Sequence, residues 1–308
     1  MELRHLRYFI AVAEELHFGR AAEQLGISQP PLSQQIQALE DELGVRLFER
    51  TNRRVALSEV GRLFLPEARQ VLAQLEQAVA VARRAQRGEL GELKVGFTSS
   101  APFTSTIPRA ILAFRQACPE VHLELRELNS RGVAEAVHEG RLQVGMLRPL
   151  ADLPPGLEVL ELFAEPLVAF LPSGHPLAAG AAAGLPLAEL ASEPFMYFPR
   201  TFGTGLYDQL LNLALAAGFT PRIVQEANEA VTLIGLVATG LGVTVLPASF
   251  SRMRIDGVVS RPLLDPGAST SVWLVRRQGE TSPLVRRFAE LLEREAAQGQ
   301  KVRHGAKS

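Results

Sequence analysis

Apolar residues in the N-terminal part of the chain recur every three or four positions, which is the spacing of amphipathic helices. This spacing predicts a first helix over residues 3–16 and a second short helix that ends at Gly26. A third helix is predicted to end at Gly44, because glycine tolerates the backbone conformation that terminates a helix. Its apolar stripe consists of Leu32, Ile36, Leu39 and Leu43. Three short helices in this arrangement predict a helix-turn-helix unit.

The polar face of the third predicted helix carries uncharged donors and acceptors, which suit base edges in a DNA major groove. Ser28 precedes the helix as a candidate cap, and Pro30 and Pro31 occupy the first turn, where proline is tolerated. Residues 45–57 follow as two short strands around a turn at 51–53, which predicts a wing. The predicted DNA-contacting residues are Ser28, Gln29, Pro30, Pro31, Ser33, Gln34, Gln37, Arg50, Arg53 and Arg54.

Local charge supports this placement, although the whole chain is close to neutral. Lys and Arg total 32 against 33 Asp and Glu, a formal balance of -1 that does not by itself indicate a nucleic-acid binder. Four arginines fall in the predicted wing and its approach, opposed only by Glu49: Arg46, Arg50, Arg53 and Arg54. The acidic run Glu40, Asp41 and Glu42 would have to face away from phosphate.

A long helix is predicted from Ser58 to Gln86, with Ser58 as its cap. Its apolar stripe follows alternating steps of four and three, which is the pattern of a coiled-coil seam: Phe64, Ala68, Val71, Leu75, Ala78 and Ala82. The alternative is a helix packed on the core of its own chain. Because the stripe is narrow, we favour dimerisation through Phe64, Val71 and Leu75.

Beyond Gly88, strand-like runs alternate with helical ones, which predicts an α/β sheet with crossover helices. A first set comprises strands 93–97, 121–128 and 142–147 with helices 107–117 and 133–139. A second set begins near Phe163 and comprises strands 167–171, 223–225 and 243–246 with helices 205–217 and 231–239. Two such sets predict two lobes.

Ligands of two-lobed α/β domains bind at the carboxyl ends of the strands. Thr98, Ser99 and Ser100 follow the first strand there, and helix capping is as good an explanation for any single hydroxyl as ligand contact. Arg148 follows the third strand, where its guanidinium could bind a carboxylate or form an ion pair between the lobes.

Composition excludes several other classes of protein. Apolar residues make up 47% and charged residues 21%, as in a soluble globular protein, and no signal peptide or membrane-length apolar run occurs. We therefore expect a cytoplasmic protein with no membrane association. Cys118 is the only cysteine and the six histidines lack ligand spacing, so we expect no disulfide, metal or other cofactor.

The segment FGRAAEQLGISQPPLSQQIQALEDELGVRLFERTNRRVALSEVG resembles the signature of the LysR-type transcriptional regulators. The resemblance is strongest over residues 1–65, and FAEPLVAFLPSGHPLA and GLGVTVLPAS extend it through the C-terminal part. MELRHLRYF and SQPPLSQQI are most similar to members that control the catabolism of aromatic compounds.

The resemblance implies an N-terminal all-α winged helix-turn-helix with a long linker helix, followed by a two-lobed α/β sensor domain like periplasmic binding proteins. The implied divisions are residues 1–58, 59–88 and 89–308, with lobe I at about 90–161 and 268–300 and lobe II at about 162–267. The resemblance also implies effector contacts from Ser99, Asn129, Arg148, Thr201 and Phe202. Thr98 and Ser100 join this set because they follow the first predicted strand next to Ser99.

These observations predict a ligand-responsive regulator rather than an enzyme. Its expected partners are operator DNA, a small organic anion such as an aromatic or dicarboxylic acid, and further copies of itself, as a dimer or tetramer. RNA polymerase is a further candidate partner. In this prediction Arg148 supplies charge to the anion and Ser99 supplies hydrogen bonds. A solute-binding protein would lack the DNA-reading head, and an enzyme would need a convergent catalytic set, which the sequence does not display.

Overall fold

The computed structural model describes residues 1–51, 54–179 and 184–305. The chain divides into two compact units, Met1–Arg84 and Ala85–Ser308, and each is described by itself. Among the described helices, none is both long enough and apolar enough to cross a membrane.

The first unit is a helix-turn-helix followed by a two-stranded wing. Its helices are α1 (Leu3–Glu15), α2 (Phe18–Leu25) and α3 (Gln29–Leu43), and its strands are β1 (Phe48–Thr51) and β2 (Arg54–Leu57). The strands pair antiparallel, and the long helix α4 (Glu59–Gln86) follows them. Gly26 and Gly44 end α2 and α3 in the left-handed conformation, as their positions in the sequence predict.

The core of this unit is formed by the apolar stripes of its helices together with the wing. Phe9, Leu32, Ile36, Leu39 and Leu47 are fully buried in it. Two capping predictions have different outcomes. Ser28 precedes α3 without a capping hydrogen bond from its side chain, whereas the Ser58 hydroxyl accepts a hydrogen bond from the Gly61 N–H at 2.9 Å.

The first half of α4 packs on the core of its own chain. The Phe64 ring lies 5.2 Å from the Phe9 ring, and Ala68 is buried. Phe64 therefore contributes to the core of its own chain, which is the alternative explanation for this part of the stripe. Val71 is 47% exposed, and from there to Ala82 the stripe is exposed or half-buried.

The second unit contains a mixed sheet built largely as the sequence predicts. Its strands are β3 (Gly91–Phe97), β4 (Val121–Glu127), β5 (Val144–Leu147), β6 (Leu157–Pro172) and β11 (Ser269–Arg277). Strand β3 lies parallel to β4 and β5, and β11 lies antiparallel between β5 and the first part of β6. Helices α5 (Thr106–Ala117), α6 (Ser130–His138) and α9 (Pro283–Gly305) belong to this lobe.

A second lobe is built on the last part of β6, from Leu167 onward. There β6 pairs with β9 (Thr244–Pro247) and β10 (Val258–Pro262), while β7 (Pro194–Tyr197) pairs parallel with β8 (Arg222–Glu226). Helices α7 (Leu206–Ala216) and α8 (Ala230–Ala238) cover this lobe. Because β6 runs through both sheets, one strand joins the two lobes.

Two separate apolar cores correspond to the two lobes. One surrounds Phe114 and Phe288, whose rings are 5.3 Å apart, and the other surrounds Phe170, Phe195 and Tyr197. The predicted architecture, a winged helix-turn-helix followed by a two-lobed α/β domain, is therefore confirmed. Strands β7 and β10 were not predicted, and β6 is much longer than its predicted segment 167–171.

Candidate functional site

The polar face of α3 is presented to solvent. Five residues predicted to contact DNA are exposed, namely Ser28, Gln29, Pro30, Pro31 and Gln34, and Ser33 is half-buried. Gln37 is half-buried, and both ends of its amide already form hydrogen bonds. Its NH₂ group donates to the Asp41 carboxylate at 2.7 Å, and its oxygen accepts from the Arg46 guanidinium at 3.2 Å. The exposed amides of Gln29 and Gln34 are therefore better placed than Gln37 to meet a base edge.

The three arginines of the wing that are predicted to contact DNA differ in their surroundings. Arg50 pairs with Glu40 at 3.1 Å, and its guanidinium lies over the Phe18 ring, 4.9 Å from the ring centroid. Arg54 is exposed at the start of β2, where a phosphate could reach it. Arg53 lies outside the described residues.

A cavity of about 280 Å³ opens between the two lobes of the second unit. The first lobe contributes residues from the carboxyl ends of β3, β4 and β5, where the sequence predicts the site: Thr98, Ser99, Ser100, Glu127, Leu128, Asn129, Ser130 and Arg148. The second lobe contributes Phe198, Phe202, Thr204, Leu206, Asn228, Glu229 and Phe250. A small molecule in this cavity would contact both lobes at once.

Arg148 lines the cavity, but its charge is already matched. Its side chain is 2% exposed, contacts the Glu165 carboxylate, and donates to the Ser100 hydroxyl at 2.8 and 3.1 Å. Burial lowers the pKa of the guanidinium, while the charge of Glu165 and its hydrogen bond oppose that shift. Glu165 also accepts the Ser249 N–H from the second lobe at 2.6 Å. Of the two roles considered for Arg148, this geometry fits the ion pair, and Glu165 extends the contact to the second lobe through Ser249.

Apart from Glu127, the other polar residues of the first lobe present neutral groups to the cavity. Asn129 caps α6, with its side-chain oxygen accepting the Gly132 N–H at 2.7 Å. That bond leaves the amide NH₂ of Asn129 as a donor. The backbone N–H groups of Ser99 and Ser130 find no hydrogen-bond partner within the described ranges. The site thus offers neutral donors rather than an uncompensated cation.

Aromatic rings form the wall contributed by the second lobe. Phe198 and Phe202 stack with 5.7 Å between ring centroids and 9° between ring planes, and Phe250 packs 5.6 Å from Phe103. Thr201 is exposed and does not line the cavity, because the tight turn over 200–202 directs Phe202 to the cavity and its neighbour to solvent. The effector contact that the resemblance implies for Thr201 therefore has no counterpart in the lining of this cavity.

Two acidic residues of the site, Glu127 and Glu229, were not predicted. Both are exposed, they belong to opposite lobes, and neither forms an ion pair among the residues that the structure describes. Asn228 was also missed, although it follows β8 just as Asn129 follows β4. Applying the strand-end rule to the second lobe would have found it.

Cys118 lies outside the cleft, at the end of α5. It is buried, and this burial raises the pKa of its thiol, an effect that the nearby charge of Arg287 opposes. A buried, protonated thiol fits the role of a small apolar residue.

Comparison with known proteins matches both units to one family. Residues 3–62 match the model of the bacterial regulatory helix-turn-helix protein, lysR family, and residues 86–297 match the LysR substrate binding domain. The uncharacterized HTH-type transcriptional regulator YnfL of Escherichia coli K12 is 50% identical over 289 residues, covering 94% of this chain and 96% of that protein.

Two solved structures are similar to this chain, one of a full-length regulator bound to DNA and one of a sensor domain bound to its effector. Full-length CbnR in complex with its target DNA has a TM-score of 0.81 at 30% identity, over 96% of this chain and 100% of that one. The effector binding domain of BenM, a regulator from Acinetobacter baylyi, was solved with its effector benzoate. It has a TM-score of 0.62 at 29% identity, over 68% of this chain and 93% of that one.

The matches extend through both units, and the relatives are DNA-binding transcriptional regulators with an effector-binding domain. This chain belongs to the LysR family of bacterial transcriptional regulators.

Proposed function

We propose that this regulator responds to a small carboxylate, which binds in the cleft between the two lobes and changes their relative position. The observation that carries the proposal is the division of the cavity lining. Neutral hydrogen-bond donors lie on the first lobe, and stacked phenyl rings lie on the second. A flat molecule with a carboxylate at one end fits both surfaces.

The carboxylate would be held by hydroxyl and N–H donors around Ser99 and Asn129. Fixed neutral dipoles can bind an anion without the desolvation cost of a second buried ion. Arg148 would act indirectly in this arrangement, by holding the Ser100 hydroxyl in place. The BenM domain, whose effector is benzoate, supports an aromatic acid as the first compound to test.

Glu127 and Glu229 limit which anions can bind. Two uncompensated carboxylates at the same cleft repel a ligand of high negative charge. We therefore favour monocarboxylates over the dicarboxylic acids that the sequence also suggested.

Isothermal titration calorimetry with benzoate, and with benzamide as a neutral compound of the same shape, tests this proposal. Benzoate is expected to bind the wild-type protein more tightly, and Ser99→Ala to weaken benzoate by roughly tenfold, the loss typical of a hydrogen bond to a charged group. Glu229→Gln should strengthen benzoate by about two- to fivefold because it removes a repulsion. Glu226→Gln, outside the cavity lining, is the control. Equal affinity for benzoate and benzamide would contradict a carboxylate site.

We also propose that the protein binds DNA as a dimer held by the exposed half of α4, with the Gln29 and Gln34 face of α3 in the major groove. Isolated apolar side chains such as Val71 on a solvated helix are typical of a helix that pairs with a second copy. In this proposal residues 59–88 remain the linker between reading head and sensor.

A further inference from the structure

A buried carboxylate ties the recognition helix to the wing. Glu40 lies on α3 and is only 2% exposed. One of its oxygens accepts the backbone N–H groups of Leu47 at 2.8 Å and Phe48 at 3.0 Å. The other contacts Arg50 at 3.1 Å and Arg46 at 3.6 Å.

These four contacts explain why an ionised group can be buried here. A carboxylate taken out of water without partners would cost several kcal/mol, whereas this one has donors for both oxygens. The donors all come from the segment that follows α3. Glu40 therefore anchors the start of β1 to the helix turn that follows Gln37.

The same carboxylate also reaches α2 through Arg50. The Arg50 guanidinium, whose side chain is 34% exposed, lies over the ring of Phe18, the first residue of α2. Glu40, Arg50 and Phe18 thus form one chain of contacts that connects α3, the wing and α2. We call this chain the Glu40 anchor.

We propose that Glu40 is a positioning residue for DNA recognition, which fixes the wing relative to α3 so that both can contact one duplex together. Two contact elements held at a fixed spacing bind without an added ordering cost, whereas a loose wing must be ordered on the DNA. Glu40 itself does not touch DNA in this proposal. Its acidic side chain is turned into the protein, away from phosphate.

The test compares Glu40→Gln with Glu42→Gln in the full-length protein. Both variants remove one negative charge from the end of α3, but Glu42 is exposed, and among the described residues its ion pair is with the N-terminal ammonium. Fluorescence anisotropy would measure binding to a duplex from the region upstream of the protein's own gene, and to a scrambled duplex of equal length, at several salt concentrations.

Glu40→Gln is expected to weaken binding to both duplexes by roughly tenfold and to reduce the slope of affinity against salt by about one, as for a lost phosphate contact. Glu42→Gln should leave binding unchanged or slightly stronger. A purely structural role would lower the melting temperature of Glu40→Gln without changing its affinity at temperatures where it is folded. Unchanged or stronger binding by folded Glu40→Gln would overturn the proposal, and stronger binding would mean that Glu40 merely competes with phosphate for Arg50.

A second variant covers the case in which Glu40→Gln does not fold. Arg50→Met leaves the Glu40 bonds to Leu47 and Phe48 in place and removes the ion pair of Glu40 with Arg50 and, with it, the connection to Phe18 of α2. Roughly tenfold weaker binding is expected again. Where both single variants fold, the double variant should be no weaker than either, because the two residues act through one contact. Wild-type affinity in Arg50→Met would overturn the proposal.

Discussion

At the scale of single residues, Arg148 and Glu165 hold each other where the first lobe meets the second. Their pairing compensates two charges that are almost completely removed from water. Glu165 also bonds the Ser249 N–H, so its carboxylate joins elements of both lobes. The pair is therefore a structural connection next to the cavity between the lobes, and Arg148 is also part of the cavity lining.

Removing one charge of this pair should be much more damaging than removing both. We predict that Glu165→Gln destabilises the second unit by about 3 to 5 kcal/mol, because it leaves a buried guanidinium without its counter-charge. The double variant Arg148→Met with Glu165→Leu should recover much of that loss. Urea unfolding of the full chain measures both, and a Glu165→Gln protein as stable as the wild type would show that the pair contributes little.

Gln29 offers a residue-scale test of the DNA-reading face. We predict that Gln29→Ala changes the base preference of the regulator, at about 1 to 3 kcal/mol for a lost base contact. Gln74→Ala, an equally exposed amide on α4, is the control. Binding selection from a randomised duplex pool would report the preference. If the two variants select the same sequences as the wild type, Gln29 is not a reading residue.

Single residues were predictable from the sequence where one rule fixes their place. Thr98, Asn129 and Arg148 follow strands, so the strand-end rule alone places them in the cavity. Glu165 could not be found in this way, because it lies inside a strand and meets Arg148 only through the pairing of β6 with β11 and of β11 with β5. The position of Arg50 over Phe18 likewise depends on the packing of α2 against the wing.

At the scale of elements, the start of α4 is fixed against the segment that precedes the wing. A Cβ atom on Gly61 would lie 2.1 Å from the Leu47 carbonyl oxygen, which is a backbone atom that cannot move aside cheaply. Ser58 strengthens the same contact by bonding the Arg46 carbonyl at 2.6 Å. Only glycine allows α4 to approach this closely.

Two glycine-to-alanine substitutions in helices should therefore have opposite effects. We predict that Gly61→Ala costs about 2 kcal/mol or more, from the clash with Leu47. Gly235→Ala in α8 meets no atom within 4 Å and should stabilise the second unit by up to about 1 kcal/mol, through helix propensity. Thermal unfolding monitored by circular dichroism distinguishes them, and equal shifts would show that the Gly61 contact relaxes easily.

The exposed half of α4 gives a further element-scale prediction. Replacing Val71 and Leu75 with Asp should dissociate the proposed dimer, because it places charges in an apolar seam. The matched control is Gln70→Asp with Gln74→Asp, which adds the same charge beside the seam. Sedimentation velocity gives the assembly state. A folded Val71→Asp, Leu75→Asp protein with unchanged sedimentation, while residues 85–308 alone are monomeric, would exclude this helix as the contact.

Elements were predictable to the extent that a single periodicity describes them. Helices α3 and α5 carry one uninterrupted apolar stripe each, and their bounds differ from the prediction by at most a residue. Strand β6 changes character along its length, since residues 158–161 are exposed whereas residues 167–171 are all buried. Only that continuous apolar run was predicted as a strand.

At the scale of the whole molecule, the division into two compact units predicts two unfolding events. Benzoate should raise the melting temperature of only the unit Ala85–Ser308, because a ligand stabilises the unit to which it binds. Duplex DNA should instead raise the melting temperature of the unit Met1–Arg84. Differential scanning calorimetry of the full chain, with residues 85–308 alone as the reference, assigns each transition. A shift of both transitions by benzoate would show that the units unfold together.

Because strand β6 runs through both lobes, it restricts where the protein can accept the insertion or deletion of a residue. Side chains alternate between the two faces of a strand, so one inserted or deleted residue inverts every position beyond it. Such a change between Glu165 and Leu167 would turn the buried residues of the second lobe toward the wrong face while leaving those of the first lobe in place. Natural exchange of sensor lobes between relatives, or their deliberate recombination, must therefore preserve the phase of this strand, whereas sequence identity at the junction matters much less.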